Sequence, residues 1–171
     1  MNTQTSFSKN YCQWIARLDA LTCELCVAMN GRVLSISENS TWPPAHPHCR
    51  CAVQALPVTA AGTATFKGVN GADYYIKTFK QLPSYYISKS VAKSNGWKRG
   101  TKLDQVVPAK MVGGDEYIDD NGILPSTPGR KWYEADINYV SGTRNSQRIL
   151  YSNDGLVFVT YDHYRTFIEI K

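Results

Sequence analysis

Three short stretches of this chain carry residue types suited to acid–base chemistry on a phosphodiester. In residues 132–137, Trp132, Glu134 and Asp136 alternate with Tyr133, Ala135 and Ile137. That is the period-2 pattern of a strand, so one face carries two carboxylates and the other is apolar. Residues 138–143 contain Ser-Gly turn chemistry. Residues 145–151 then read as a returning strand that carries Arg148, with Arg144 just ahead of it. Residues 160–167 add His163 beside Tyr164. A carboxylate, two arginines and a histidine on one sheet face are the parts of an RNA-cleaving site. RNA brings its own nucleophile, the ribose 2′-hydroxyl. What remains to be supplied is a base for that hydroxyl, an acid for the departing 5′-oxygen, and cations for the charge on the phosphorane. Such a scheme requires no metal. Glu134 is the candidate base and His163 the candidate acid, since an unperturbed imidazole titrates near neutrality. Arg144 and Arg148 offer planar forks for phosphate oxygens, and Lys89, near a helix start, offers a further cation. Asp136 reads as an internal partner that orients the arginines. The bland alternative is a solvated strand face, a surface histidine and ordinary ion pairs, and spacing alone favours it.

The elements that would position these groups are helices first and strands afterwards. Residues 72–79 place Tyr75, Ile76 and Phe79 on one helical face, and Leu82-Pro83 stops them. Ser88 caps a helix over 88–95 that ends at Gly96, and 101–107 read as a third short helix closed by Pro108. After Gly113-Gly114, strands are expected at 113–117, 131–137, 146–152, 155–160 and 166–170. The expected class is α+β, with amino-terminal helices packed on an antiparallel sheet.

The chain has 171 residues, 43% of them hydrophobic, which describes a globular protein. No apolar run approaches the roughly 18–20 residues of a membrane helix. Residues 1–10 lack the apolar core of a secretory leader. The expectation is therefore a protein made in the cytoplasm and exported, if at all, by a non-classical route to a target cell or inside a particle. Net charge is +5, and residues 61–171 carry 15 Lys and Arg against 11 Asp and Glu. This permits a polyanionic partner without demanding one.

All five cysteines lie before residue 52, which suggests two units stabilised differently. Residues 9–21 place Tyr11, Trp14, Ile15 and Leu18 at helical spacing. Asn30-Gly31 is a hairpin-turn signal, and residues 52–56 read as a strand. Cys23-x-x-Cys26 and His46-x-x-Cys49-x-Cys51 offer five soft ligands for four tetrahedral positions. The favoured set is Cys23, Cys26, His46 and Cys49, with Cys51 as an alternative and His48 a bystander. Zinc is the expected structural ion, and disulfide pairing or a metal-free reduced cluster is the alternative. Residues 57–67 have linker composition. The expected organisation is a Cys/His-rich, metal-stapled module over 1–56, a linker over 57–67, and a catalytic domain over 68–171.

Two resemblances sharpen this. Trp14, Leu18-Asp19, Thr22-Cys23-x-x-Cys26, Asn30-Gly31 and Pro43-Pro44-x-His46-Pro47-x-Cys49-Arg50-Cys51 resemble the carboxy-terminal part of phage Mu F-type head morphogenesis proteins. That resemblance covers only about the first 56 residues and implies a packaging or delivery module. Residues 68–171 resemble barnase and the related microbial guanyl-preferring ribonucleases. The matching strings are Ala72-Asp-Tyr, Leu82-Pro, Tyr86-Ile-x-Lys89-Ser, Gly96-Trp97, Gly113-Gly-Asp115 and Gly122-x-Leu-Pro125. They continue with Trp132-x-Glu-Ala-Asp-Ile-Asn-Tyr-x-Ser-Gly142, Arg144-Asn-Ser-x-Arg-Ile-Leu-Tyr-Ser152 and Asp162-His-Tyr-x-Thr-Phe167. The resemblance implies Glu134 as general base, His163 as general acid, Lys89, Arg144 and Arg148 as phosphate cradle, and Tyr164 as a stacking contact. Asp115 and Asp136 would give structural support. The family's base-recognition loop keeps its aromatic here as Tyr117, but Ile118-Asp-Asp-Asn121 replaces the Ser-Asn pair, arginine and glutamate. That leaves Asp119, Asp120 or Asn121 to contact a base and puts guanine preference in doubt. The implied reaction is metal-independent cleavage of single-stranded RNA to a 2′,3′-cyclic phosphate by a toxin. An acidic, barstar-like inhibitor and a phage head or delivery particle are the implied partners. The rival expectation is a catalytically inactive particle adaptor or an RNA-binding module.

Overall fold

The structure is a computed structural model describing residues 6–171, so the first half of the stretch 1–10 lies outside the described residues. Contacts divide the chain into two units. One runs up to Val58 and includes Asp119–Pro128; the other comprises Thr59–Ile118 and Gly129–Lys171. No helix among the described residues is long and apolar enough to cross a membrane.

The first unit is built on a strand where a helix was expected. β1 (Ser6–Ile15) pairs antiparallel with β2 (Val33–Ser35) and with β3 (Ala52–Thr59). The helical spacing of Tyr11, Trp14, Ile15 and Leu18 misleads because those four are not the buried set. Cys12 and Trp14 are buried, whereas Ile15 and Leu18 are exposed. Aromatic and β-branched residues suit a pleated surface flanked by two partner strands, and that pairing outweighs a local 3.6-residue pattern. A register shift between Phe7 and Cys12 is stitched by Ser8 Oγ, which accepts the amides of Asn10 and Tyr11 at 3.1 and 2.9 Å.

The short helix α1 (Glu24–Met29) starts on Cys23, whose Sγ accepts the Cys26 amide. Asn30-Gly31 follows it and does not join two strands. Asn30 has φ −60 and ψ 129, Gly31 has φ +84, and Arg32 N donates to Met29 O at 3.1 Å. This is a type II turn, whose third residue requires positive φ and hence glycine. The turn leads from α1 into β2.

Residues 119–128 also belong to this unit. Asp119 accepts the Ile123 amide on Oδ1 and the Leu124 amide on Oδ2, at 2.9 and 2.8 Å. Val33 N donates to Ile123 O at 2.6 Å, so the loop adds its backbone to the β2 edge.

The second unit begins inside the stretch expected to be linker. β3 runs on through Thr59, and Lys171 brackets the chain, donating to Thr59 O and accepting from Ala61 N at 3.0 and 2.8 Å. The fully buried Asp73, in the first turn of α2 (Ala72–Phe79), accepts the amides of Gly62 and Ala64 and the hydroxyl of Thr65. Residues 59–65 are thus anchored, not a free tether.

Next come β4 (Tyr86–Ile87), α3 (Lys89–Ser94, capped by Ser88 Oγ) and α4 (Leu103–Val106). The strands follow in order: β5 (Met111–Tyr117), β6 (Trp132–Asp136), β7 (Arg148–Ser152), β8 (Val157–Thr160) and β9 (Ile168–Ile170). Neighbours in the sheet run β9-β8-β7-β6-β5-β4, antiparallel except for the parallel β4–β5 pair. β4 is too short for periodicity to reveal it. The helices-then-meander order is α+β, as the patterns implied.

Ile76 of α2 packs on Ala135, Ile149, Val157 and Val159. A second cluster, Ala92, Trp97, Leu103 and Met111 among others, holds α3 and α4 against the other end of the sheet. β5 and β6 approach closely where a Cβ on Gly113 would lie 2.4 Å from Ala135 Cβ. The next residue, Gly114 (φ +89), makes the bulge that brings Asp115 opposite Glu134.

Candidate active site

The face of β6 that carries Glu134 and Asp136 is buried instead of solvated: Asp136 is 0% exposed and Glu134 8%. Buried carboxylates must be paired, and each has a different set of partners. Asp136 holds both arginines. Arg144 Nε and Nη2 donate to its two oxygens at 2.6 Å each, and Arg148 Nη1 lies 3.1 Å from Oδ1. Arg148 Nη1 also donates to the carbonyls of Asn145 and Gln147 at 2.8 and 2.7 Å. The register Asp136↔Arg148 across β6 and β7 places this pair.

Glu134 makes the contacts of a different kind of group. Lys89 Nζ donates to Oε1, and Tyr164 Oη donates to Oε2 at 2.6 Å. Lys89 opens α3, where its amide donates to Asp115 Oδ2 at 2.9 Å, so Asp115 of β5 fixes the helix start that carries the lysine. Burial alone would raise the Glu134 carboxyl pKa. The bonds from Lys89 and Tyr164 and the charges of Lys89 and Arg148 outweigh it and hold the group below its ordinary value. The carboxylate is therefore ionised at neutral pH. Burial, then the facing Glu134 charge, push the Tyr164 phenol well above its usual range, so it stays a donor.

His163 and Tyr164 both have left-handed backbone, with φ +60 and +68. Two consecutive non-glycine residues in that region are strained and need external support. Asp162 supplies it: Oδ1 accepts the Thr160 hydroxyl and the amides of Arg165 and Thr166, and Oδ2 accepts the Thr166 hydroxyl. Thr160 Oγ1 in turn accepts the Tyr164 amide at 2.9 Å. The turn presents the exposed His163 imidazole edge-on to Tyr164, 4.7 Å between centroids, and Tyr117 stacks on Tyr164 at 5.4 Å.

These groups line one cleft of about 630 Å³, bounded by Lys89, Glu134, Arg144, Arg148, His163 and Tyr164. The structure thus gathers residues that lie up to 75 positions apart, from Lys89 to Tyr164. Asp119, Asp120 and Asn121 are not among its lining residues. Asp119 is committed to its own loop, and Asp120 and Asn121 are exposed in the segment that joins the other unit. Of the residues expected to contact a base, Tyr117 is the one tied to the cleft, through its stack on Tyr164.

Among the lining residues that were not anticipated, three bring charge or an aromatic face. Lys93 lies one helical turn after Lys89, on the same face of α3. Trp97 lies under the Arg144 guanidinium, 5.8 Å from its ring centroid, and Arg99 follows in the next turn. The i, i+4 lysine pair was a readable signal; the placement of Arg99 was not. Asp162 was likewise quoted without its role, although threonines at 160 and 166 flank it as turn partners.

An ionised carboxylate, an exposed imidazole, and two guanidiniums and an ammonium around one cleft can move a proton at each side of a phosphodiester and neutralise it between. Comparison with known proteins agrees in kind. The ribonuclease family profile matches residues 58–171. A ribonuclease from Heyndrickxia coagulans is 51% identical over 108 residues, 63% of this chain and 96% of that protein. Ribonucleases from Bacillus intermedius and Bacillus pumilus are each 50% identical over 114 residues, 66% of this chain and 68% of theirs. With its anchored arginines, its ionised glutamate and a family match covering the whole of the cleft, this chain belongs to the bacterial ribonuclease family.

Proposed function

We propose that the chain is an endoribonuclease that cleaves single-stranded RNA by in-line transesterification. Glu134 takes the proton of the ribose 2′-hydroxyl, whose oxygen attacks the adjacent phosphorus. His163 gives a proton to the departing 5′-oxygen, leaving a 2′,3′-cyclic phosphate that water opens more slowly with the two roles reversed. Lys89, Arg144 and Arg148 neutralise the phosphorane oxygens. The Lys89 ammonium holds Glu134 in the free protein, and a substrate phosphate is its alternative partner, which frees Oε1 to act as base. Base and acid are both side chains and the nucleophile belongs to the RNA, so the step draws on no metal.

The observation that carries this reading is the division of labour between the two carboxylates of one strand. Asp136 spends both oxygens on the arginines, while Glu134 stays ionised and faces the cleft with His163. The test uses a defined oligoribonucleotide and its analogue lacking 2′-hydroxyls. The RNA should give cyclic phosphate ends, and the deoxy analogue should stay intact. Glu134→Ala and His163→Ala should each lower kcat by about 10²–10⁴-fold; undiminished cleavage in both variants would end the assignment.

A cell that makes such an enzyme must protect its own RNA. We further propose a toxin role, with an acidic, barstar-like inhibitor covering the cationic cleft and the Mu F-like first 56 residues serving particle delivery. Co-expression with a neighbouring acidic gene product should rescue growth; toxicity unaffected by any such product counts against the inhibitor.

A further inference from the structure

We infer that the first unit holds one zinc ion through Cys23 Sγ, Cys26 Sγ, His46 Nε2 and Cys49 Sγ, with Cys51 as a fourth thiol beside it, outside the ligand set. The inference is independent of the RNA cleft, because every residue it uses lies before residue 52.

Two tight turns each offer a pair of donors. The first is the start of α1. Val27 N donates to Cys23 O at 3.0 Å and Cys26 N to Cys23 Sγ at 3.4 Å, which folds both sulfurs to one side. The second is the turn in which Cys49 N donates to His46 O at 3.1 Å. Between the pairs, His46 Nε2 stands 3.0 Å from Cys23 Sγ and 3.1 Å from Cys26 Sγ, and Cys26 Sγ stands 3.8 Å from Cys49 Sγ. Two thiolates on a tetrahedral zinc, each at about 2.3 Å, are separated by about 3.8 Å.

The surroundings also favour coordination. His46 Nδ1 lies 2.8 Å from the Pro47 carbonyl. An oxygen there fixes the proton on Nδ1 and turns the Nε2 lone pair toward the sulfurs, as outer partners of zinc-bound histidines do. Arg50, between the two candidate cysteines, donates twice to Asp19 at 2.7 and 2.6 Å, which ties the second turn to the loop preceding the first.

Cys49 and Cys51 both lie within 4.8 Å of Cys26, and neither is grouped with Cys23 and His46. Cys49 is favoured because its amide closes the turn on His46 and its sulfur stands 3.8 Å from Cys26 Sγ, whereas Cys51 lies beyond that turn, directly before β3. Three thiolates and one neutral imidazole make a closed structural site with no open position. Binding a divalent ion releases the three thiol protons, so uptake weakens as pH falls. The unit has reason to need the ion: residues 36–51 contain no helix or strand, and its buried apolar side chains are few, among them Cys12, Trp14, Val33 and Leu56.

Protein purified under reducing conditions should carry one zinc per chain by mass spectrometry of the metal. Cobalt(II) in its place should show tetrahedral d–d bands with charge transfer from three thiolates. Cys49→Ser should weaken zinc binding by more than about tenfold, since losing even an outer partner of a ligand costs about that much, while Cys51→Ser keeps full stoichiometry. Because a variant can fail to fold, the parent chain supplies a second readout. A chelator should raise trypsin cleavage after Arg50 by at least about tenfold, and added zinc should restore protection. Folded reduced protein that takes up no zinc, or native disulfides among these cysteines, overturns the site. Loss on Cys51→Ser with retention on Cys49→Ser overturns the ligand set.

Discussion

The two units hold polar groups in place by opposite means. In the second, a carboxylate with no exposure is locked between two arginines inside a sheet, over a core that includes Ile149, Val159 and Ile76. In the first, polar groups converge from turns with little apolar support, and its Asp19–Arg50 pair is about one-third exposed on both sides. The chemistry of the two carboxylate–guanidinium pairs is alike and both are bidentate. What differs is water. An ion pair that solvent reaches contributes little, whereas removing one partner of a buried pair leaves a charge with nowhere to go.

The sharpest way to break that comparison is to delete each aspartate. Asp136→Ala strands Arg148, which is 6% exposed, and releases Arg144. It should cost about 3–5 kcal/mol of stability and, with both proposed phosphate ligands displaced, lower kcat/KM by about 10²-fold or more. Asp19→Ala should leave denaturant midpoints nearly unchanged and RNA cleavage intact. Equal losses from the two, measured by denaturant unfolding, would show that burial is not what separates the pairs.

A middle-sized effect lies in the His163 turn. Asp162→Ala removes the acceptor that supports two left-handed residues. The turn should relax at a cost of about 1–2 kcal/mol, with kcat falling about tenfold and KM little altered. Asp162→Asn keeps an acceptor for the amides and should recover part of kcat. A variant with unchanged kcat would mean that the strained turn holds itself.

The pH dependence turns on Glu134. The folded pKa of Glu134 is depressed, so its contribution to stability is present above the unfolded value and is lost as pH falls through the folded one. The acid limb of kcat/KM should therefore lie below the ordinary glutamate value of about 4.3. The difference in thermal midpoint between the parent and Glu134→Gln should shrink over the same range. An acid limb lying above pH 5 would place the base elsewhere.

What could be read from the sequence follows the same division. The strands around Glu134 and Arg148 show because alternation persists wherever a sheet is long and one face is strongly apolar. The helices at 72–79 and 89–94 show because caps and stops are local. Solvation of the carboxylate face was misjudged because period 2 reports which residues share a face but not what covers it. β1 was mistaken for a helix because Tyr11, Trp14 and Ile15 fit a 3.6-residue spacing, while the alternating pair that is buried, Cys12 and Trp14, is too short a pattern to compete with it, and only pairing with β2 and β3 decides. The allegiance of residues 119–128 was invisible for a related reason: a single backbone bond from Val33 to Ile123 leaves no pattern in side chains. The cysteines and the histidine proposed as metal ligands, by contrast, stand out by spacing alone, since turns of three residues bring their donors together.

The smallest predicted effect tests how far the cleft extends beyond the reacting groups. Lys93 and Arg99 line it and are exposed. Neither touches Glu134 or Asp136 through any bond found among the described residues, so they should contribute charge without chemistry. Neutralising both should leave kcat on a dinucleotide unchanged and raise KM on a longer strand by a few-fold. On single strands each phosphate contact adds about 0.7 to the slope of log affinity against log salt, so the double variant should be shallower by about 1.4. A fall in dinucleotide kcat would instead mean that these cations act on the scissile phosphate. In that case the cationic cleft could not be divided into a buried, preorganised part and an exposed, screened one, and burial would no longer explain why the two carboxylate pairs differ.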